Sequence, residues 1–342
     1  MPEIELTRRE RLVLEAVIRT FVETAAPAAS RTIERRYRLG VSSATIRNTM
    51  SDLEEKGFLA QPHASAGRMP TDKAYRYYVD SIMRIARPSP EETRRLATTL
   101  AVAPTGGAEL LTRAVQALSI VTLELGVGLA PRVEEAVLEK IELIGVSSER
   151  ILMVLALRSG PVRTIFVEAA RASSDEALAA VAGFLTERLS GLTLKEIRET
   201  YRDRLAHSPV EHADLLNIFL EQGETLFATE QGPDDVVLGP ASGLALQPEF
   251  ADMEKMRTLL ELTERRDVLA EALRARHADG IVVSIGGEHL PPLVDFSLVT
   301  AEYEMGDVRG TIGVIGPTRM PYDRVVALVE YTARLLSSVR DR

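Results

Sequence analysis

Apolar residues near the start of the chain recur at helical spacing. Leu14, Val17, Ile18 and Phe21 form one stripe behind Thr7-Arg8-Arg9-Glu10. That tetrapeptide reads as a capping box, in which the threonine hydroxyl and the glutamate carboxylate each satisfy a backbone N–H that a helix start leaves unpaired. Pro27 ends this first helix or follows soon after its end. Ser30 is expected to cap a second helix over 31–38, with Ile33 and Tyr37 inward. Leu39-Gly40-Val41-Ser42 then makes a tight turn in which Gly40 is free to take positive φ. In the third helix Ile46, Met50 and Leu53 lie inward. Ser43, Arg47 and Ser51, with Asn48 beside them, occupy the opposite side, and Gly57 supplies the stop. Two short helices joined by a glycine turn make a helix-turn-helix.

Residues 58–71 follow as two short stretches separated by small residues and fenced by Pro62 and Pro70, the pattern of a wing. Residues 72–84 are again helical in pattern, with Tyr75, Tyr78, Val79 and Ile82 on one side and Lys73 and Arg76 outside. Pro88-Ser89-Pro90 punctuates the chain and places a first domain boundary near residue 88. Beyond Pro104-Thr105-Gly106-Gly107, residues 109–125 read as a long apolar-rich helix, and 137–146, 151–157 and 162–167 as strands, with Gly160-Pro161 turning between the last two. Helical patterns run from 174 to about 227, broken at Gly191 and at Ser208-Pro209. A short strand over 235–238, a long helix over 248–277, strands at 281–285, 296–303 and 309–315, and a last helix over 322–339 complete the reading. The helix at 109–125 has no sheet of its own and is expected to pack with this last segment, which leaves the stretch from 130 to 230 as an insertion. The fold class is therefore α+β and multidomain.

Composition narrows the chemistry. The 342 residues include no cysteine, which excludes disulfides and thiolate zinc sites, so any DNA reading is metal-free. No apolar run approaches the length that spans a bilayer, and the first residues have no apolar signal-peptide core, so a cytoplasmic protein with no membrane partner is expected. The net charge of −9 argues at first against a polyanionic partner. Its distribution reverses that argument: residues 1–87 hold 15 Lys/Arg against 11 Asp/Glu, while the remainder holds 26 against 39. A basic head on an acidic body repels DNA except through the head.

Within that head, the outer side of the third helix carries residue types that read base edges: arginine for guanine, asparagine for adenine, small hydroxyls for bases or phosphate. The candidate contacts are Arg31, Ser42, Ser43, Thr45, Arg47, Asn48 and Ser51 around the helix-turn-helix, His63, Ser65, Gly67 and Arg68 on the wing, and Lys73 and Arg76 just after it. Small side chains on the wing let backbone approach a phosphate chain, and Arg68 adds a charge there or in the minor groove. Elsewhere Gly310, Gly313 and Gly316 lack the spacing of a phosphate loop and read as strand and turn glycines, with Arg319 beside them as a structural ion-pair former. The five histidines form no metal-binding pair and sit beside no nucleophile motif, so neither an enzyme nor a cofactor is expected.

Ser42-Ser43-Ala44-Thr45-Ile46-Arg47-Asn48, Asp52-Leu53-Glu54-Glu55-Lys56-Gly57-Phe58-Leu59 and Gln61-Pro62-His63-Ala64-Ser65-Ala66-Gly67-Arg68 together strongly resemble the HrcA family of heat-inducible transcription repressors. The resemblance continues in Pro70-Thr71-Asp72-Lys73, Tyr75-Arg76, Pro248-Glu249-Phe250, Ile285-Gly286-Gly287-Glu288 and the run from Gly313 to Met320, and is weakest in the middle third. Departures are Ala28-Ala29 for a usual Val-Gly, Ala74 for a usual Gly and His289 for a usual Asn, all away from the reading residues. The resemblance implies a winged helix-turn-helix over 1–88, a GAF-like domain over 104–130 and 231–342, and a dimerising domain inserted over 131–230. It implies a homodimer that represses chaperone operons on a CIRCE-type inverted repeat of double-stranded DNA, with release on heat shock and chaperonin assistance. The residues by themselves leave open a regulator with the same DNA module switched by a metabolite in its second half.

Overall fold

A computed structural model of the chain describes residues 5–63, 66–101, 107–131, 133–158, 162–169, 173–205, 213–227, 235–274, 280–306 and 308–338. The capping box forms as the sequence predicts: the Thr7 N–H and hydroxyl each donate to the Glu10 carboxylate at 2.8 Å and open α1 (Arg8–Thr24). The helix ends on Ala25 in the left-handed region, two residues before Pro27. The second helix, α2 (Ser30–Arg36), starts earlier than expected. Ser30 lies inside it, with its side chain buried, and Ala29 holds the cap position. After the turn at Gly40 (φ +72°), α3 (Ser43–Glu55) buries Ile46, Thr49, Met50 and Leu53. A short hairpin, β1 (Leu59–Ala60) with β2 (Met69–Pro70), leads to α4 (Asp72–Tyr77), which widens into a π-type turn over Tyr78–Ile82.

Two elements on either side of residue 107 were not anticipated. Pro88-Ser89-Pro90 begins a helix: Ser89 and Glu92 cap each other at 2.7 and 3.2 Å, with proline in the first helical position of α5 (Pro90–Ala101). The apolar run read as helix to 125 divides instead. α6 (Gly107–Thr122) ends at Leu123, whose φ is +64°, and β3 (Leu125–Leu129) follows at once. A fully buried strand and a buried helix carry the same unbroken apolar run, so periodicity alone does not separate them.

From β3 the chain enters a three-stranded antiparallel sheet of β4 (Leu138–Ser147), β5 (Arg150–Leu157) and β6 (Val162–Glu168), then α7 (Asp175–Leu189), α8 (Leu194–Leu205) and α9 (Ala213–Leu226). The turn expected at Gly160-Pro161 lies outside the described residues. The inner sheet face (Ile151, Met153, Leu155, Leu157) shares a core with Leu178, Val181, Leu185 and Phe219 from the helices. The chain then returns through β7 (Val236–Leu238), which pairs with β3, and runs through α10 (Ser242–Ala245), α11 (Met253–Glu264) and α12 (Arg266–Arg274). The single helix expected over 248–277 is broken at two points. Asp252 caps a fresh start for α11, and Arg265 leaves helical geometry with ψ at +68°. β8 (Ile281–Ile285), β9 (Phe296–Met305) and β10 (Val308–Pro317) complete a five-stranded antiparallel sheet in the order β7-β3-β10-β9-β8, and α13 (Tyr322–Ser338) covers it with α6.

The N-terminal helices do not stand apart from this body. Tyr75 and Tyr78 of the first module share one buried core with Tyr322 and Val326 of α13, and the Tyr75 and Tyr322 rings lie 5.8 Å apart.

Candidate nucleic-acid interface

The start of α3 is fixed by its neighbours. Ser42 Oγ accepts from the Thr45 N–H at 3.3 Å and lies 3.1 Å from Thr45 Oγ1, while the Ser43 N–H donates to Glu34 Oε1 of α2 at 2.8 Å. The hydroxyls of Ser42 and Thr45 therefore close the helix cap. Ser51 is half-buried one turn after Arg47. The side chains of Arg47 and Asn48 project from the exposed side and make no hydrogen bond or ion pair among the described residues. Arg31 is exposed on α2, and Arg35 follows it at i+4 on the same face. Arg35, which is not among the candidate contacts, thereby adds a second exposed cation to that face.

The remaining cations hold α3 in place instead of lying free beside it. Lys56 Nζ reaches Glu10 Oε1 at 2.5 Å and so ties the end of α3 to the cap of α1. Burial by itself raises the Glu10 carboxyl, but the hydrogen bonds from Lys56 and Thr7 outweigh it and hold the group below its ordinary value. Lys73 Nζ donates to the Lys56 carbonyl at 2.7 Å and sits 4.5 Å from the centre of the Phe58 ring, so it caps the C-terminus of α3. Arg68, expected at a phosphate or in the minor groove, pairs with Glu54 of α3 at 2.8 Å and keeps only 16% of its side chain exposed.

Gly67 also has a packing reason. Ala28 and Arg68 exchange backbone hydrogen bonds at 2.8 and 2.9 Å, and a Cβ on Gly67 would overlap the Ala28 carbonyl. The glycine thus seats the hairpin against the chain leaving α1. His63 is exposed near the hairpin tip, and Ser65 lies outside the described residues. Arg76 is committed to the body: it makes a two-pronged pair with Glu288, both bonds at 2.7 Å, and also reaches Asp80 at 3.0 Å and the Val283 carbonyl at 2.6 Å.

A cavity of about 160 Å³ is lined by Asp72, Glu249, Lys255, Phe296 and Thr318, among others. Among the described residues no group of three or more His, Asp or Glu side chains could hold a metal ion, and no helix is long and apolar enough to cross a membrane. Cβ atoms at Gly310, Gly313 and Gly316 would overlap Tyr303, the Val299 carbonyl and the Glu124 carboxylate respectively, so close packing requires these glycines. Arg319 pairs with Glu249 at 2.9 Å and donates to the Val22 carbonyl at the end of α1.

The family model of the HrcA protein C-terminal domain matches residues 108–326. The heat-inducible transcription repressor HrcA of Chlorobium chlorochromatii is 39% identical over 339 residues, covering 98% of this chain and 97% of its own. The protein of the same name from Chlorobaculum tepidum is 38% identical over 346 residues, covering 97% of each chain. A crystal structure of a hypothetical protein at 2.2 Å resolution superimposes with a TM-score of 0.61 at 24% identity, over 98% of this chain and 99% of that one, and shares its mixed helix-and-sheet fold. With 39% identity to a named repressor along nearly its whole length, the chain belongs to the HrcA family of heat-inducible transcription repressors, a family of regulators and not of enzymes.

Proposed function

We propose that this repressor grips an inverted-repeat operator of the CIRCE type as a homodimer, with α3 in the major groove and the β1–β2 hairpin as a wing on the adjacent backbone. The observation that carries this reading is the division of labour on α3. Its apolar face is buried, its cap hydroxyls and flanking cations are occupied in holding it, and Arg47 and Asn48 are left exposed and unpaired among the described residues. A rigid helix presenting an arginine and an asparagine suits bidentate reading of guanine and adenine. Arg31 and Arg35 on α2 suit the flanking phosphates.

A two-fold operator calls for a two-fold protein. The outer face of the three-stranded sheet supports one, because the register sets Ile144, Leu152 and Phe166 side by side, and Phe166 is 62% exposed. Such an apolar row matches itself across a two-fold axis. We read the stretch 131–230 as the dimerising unit, inserted in a GAF-like body made of 104–130 and 231–342. Control of chaperone operons, release on heating and chaperonin assistance are what the family resemblance implies, and they belong to this proposal.

The test is binding of the purified chain to a labelled CIRCE-type duplex and to a scrambled duplex at physiological salt. A preference of about a thousandfold is expected, and Arg47→Ala should remove it while leaving weak general binding. Undiminished preference in that variant would remove α3 from the role.

A further inference from the structure

Arg76 lies just beyond the hairpin, where the sequence placed a DNA contact, yet its guanidinium faces the body. Nε and Nη2 meet the two Glu288 oxygens at 2.7 Å each, Nη2 also reaches the Val283 carbonyl at 2.6 Å, and Nη1 reaches Asp80 at 3.0 Å. To touch a phosphate it would have to abandon all of these acceptors. Glu288 is itself held, since its Oε2 accepts from the Ile285 N–H at 3.0 Å. One turn earlier on α4, Asp72 Oδ2 accepts from the Gly287 N–H at 3.0 Å. The close approach is possible because Gly286 has no Cβ to overlap the Asp72 carboxylate.

This clamp is coupled to the reading helix. Lys73 fastens α4 to the end of α3, and the Thr71 hydroxyl donates to the Gly57 carbonyl at 2.8 Å, so α3 and α4 move together. We propose that Arg76 and Glu288 are positioning residues that set operator geometry: the Tyr75–Tyr322 core holds the DNA-reading module on the body, and their pair fixes the angle at which it sits, and so the half-site spacing the dimer accepts. The inference rests on the dimeric operator reading above. A dimer with rigid arms accepts half-sites only on one face of the duplex at one separation, whereas hinged arms tolerate several. Bidentate arginine–carboxylate geometry constrains direction as well as distance, which is what an angle-setting contact requires.

The chain contains no cysteine, so spin labels can be placed on the full-length protein at Glu55→Cys in α3 and Arg257→Cys in α11, diluted into unlabelled chain to isolate distances within one protomer. The parent should give one narrow distance distribution, Arg76→Glu a broad one, and the charge swap Arg76→Glu/Glu288→Arg a narrow one again. In parallel, binding is measured to inverted repeats of native spacing and with about five base pairs, half a helical turn, added between half-sites. The parent should lose about 100-fold on the lengthened site. Arg76→Glu should lose less than about threefold, while still preferring half-site sequence over scrambled DNA, and the swap should restore the parent's ratio. Arg76→Gln, which removes the pair without adding repulsion, should move both readouts in the same direction if the reversal misfolds.

A parent that discriminates spacing and an Arg76→Glu variant with the same ratio would overturn the inference alone. Tighter binding of Arg76→Glu to the native operator would overturn it as well, because the clamp would then hold the module away from DNA. A parent that fails to distinguish any inverted repeat from scrambled duplex would overturn the operator reading and, with it, the role in spacing.

Discussion

Glu124 sits 2% exposed between the end of α6 and β3, under Gly316. Its carboxylate accepts from Gln247 Nε2 at 3.1 Å. Burial pushes the carboxyl up to about 8 from an ordinary 4.5; the Gln247 bond and the charge of Arg319 oppose the rise without cancelling it. Between those two values the unfolded chain has released a proton that the folded chain retains, so stability falls as pH rises through that window. At about 1.4 kcal/mol per pH unit, the group costs about 3 kcal/mol at pH 7 and about 5 kcal/mol above pH 8, relative to acid conditions. Glu124→Gln keeps the shape and an acceptor for Gln247 but cannot ionise. Its stability advantage should therefore be small and constant below pH 4.5 and grow to about 3 kcal/mol at pH 7. In thermal melts that corresponds to a gain of roughly 5–10 °C for a protein of this size. Melts of parent and variant from pH 4 to 9 measure the difference directly. An advantage that did not change with pH, or a variant less stable than the parent at pH 7, would show that Glu124 is ionised in the fold and neutralised by Arg319, and would refute the reasoning. If repression is lost as the body unfolds, the same variant should hold its operator to higher temperature.

Other expectations follow from local geometry. Gly286→Ala places a methyl against the Asp72 carboxylate at a residue with φ of +48° and should cost about 1–3 kcal/mol, read as earlier melting and faster proteolysis after α4. Thr7→Ala removes half of the capping box and should destabilise the N-terminal module by about 1 kcal/mol. The Glu10 carboxyl is held below its ordinary value in the fold, so its contribution is present above pH 4.5 and is lost as pH falls through the folded value. Glu10→Gln should flatten that part of an acid unfolding curve. Phe166→Lys adds a charge to the open apolar face of the three-stranded sheet without touching its inner core. Sedimentation should then report a monomer with unchanged melting of the subunit, and a persisting dimer would move the interface elsewhere.

The stretches that read well in the sequence are those whose energetics are local. The capping box at Thr7 and Glu10, the stripe of Ile46, Met50 and Leu53, and the turn at Gly40 each depend on residues within a few positions of one another, and each formed where the pattern placed it. The exposed Arg47 and Asn48 belong with them, because helical spacing alone sets which side of α3 they occupy. Glycines at 310, 313 and 316 also kept the structural reading that their spacing implied.

What the tertiary structure decided was partnership. Arg68, Lys73 and Arg76 carry the same charge as Arg47, and nothing in the one-dimensional pattern separates a cation left exposed and unpaired among the described residues from one that meets Glu54, a helix carbonyl or Glu288 far along the chain. The same limit explains the missed β3: whether an unbroken apolar run is helix or strand depends on the neighbour that covers it, here α6 on one side and β7 and β10 at its edges. It also explains Glu124, whose burial exists only once folding brings Gly316 and Gln247 over it. Backbone preference and periodicity are short-range terms that each segment carries with it, whereas charge pairing and burial exist only after distant segments have met.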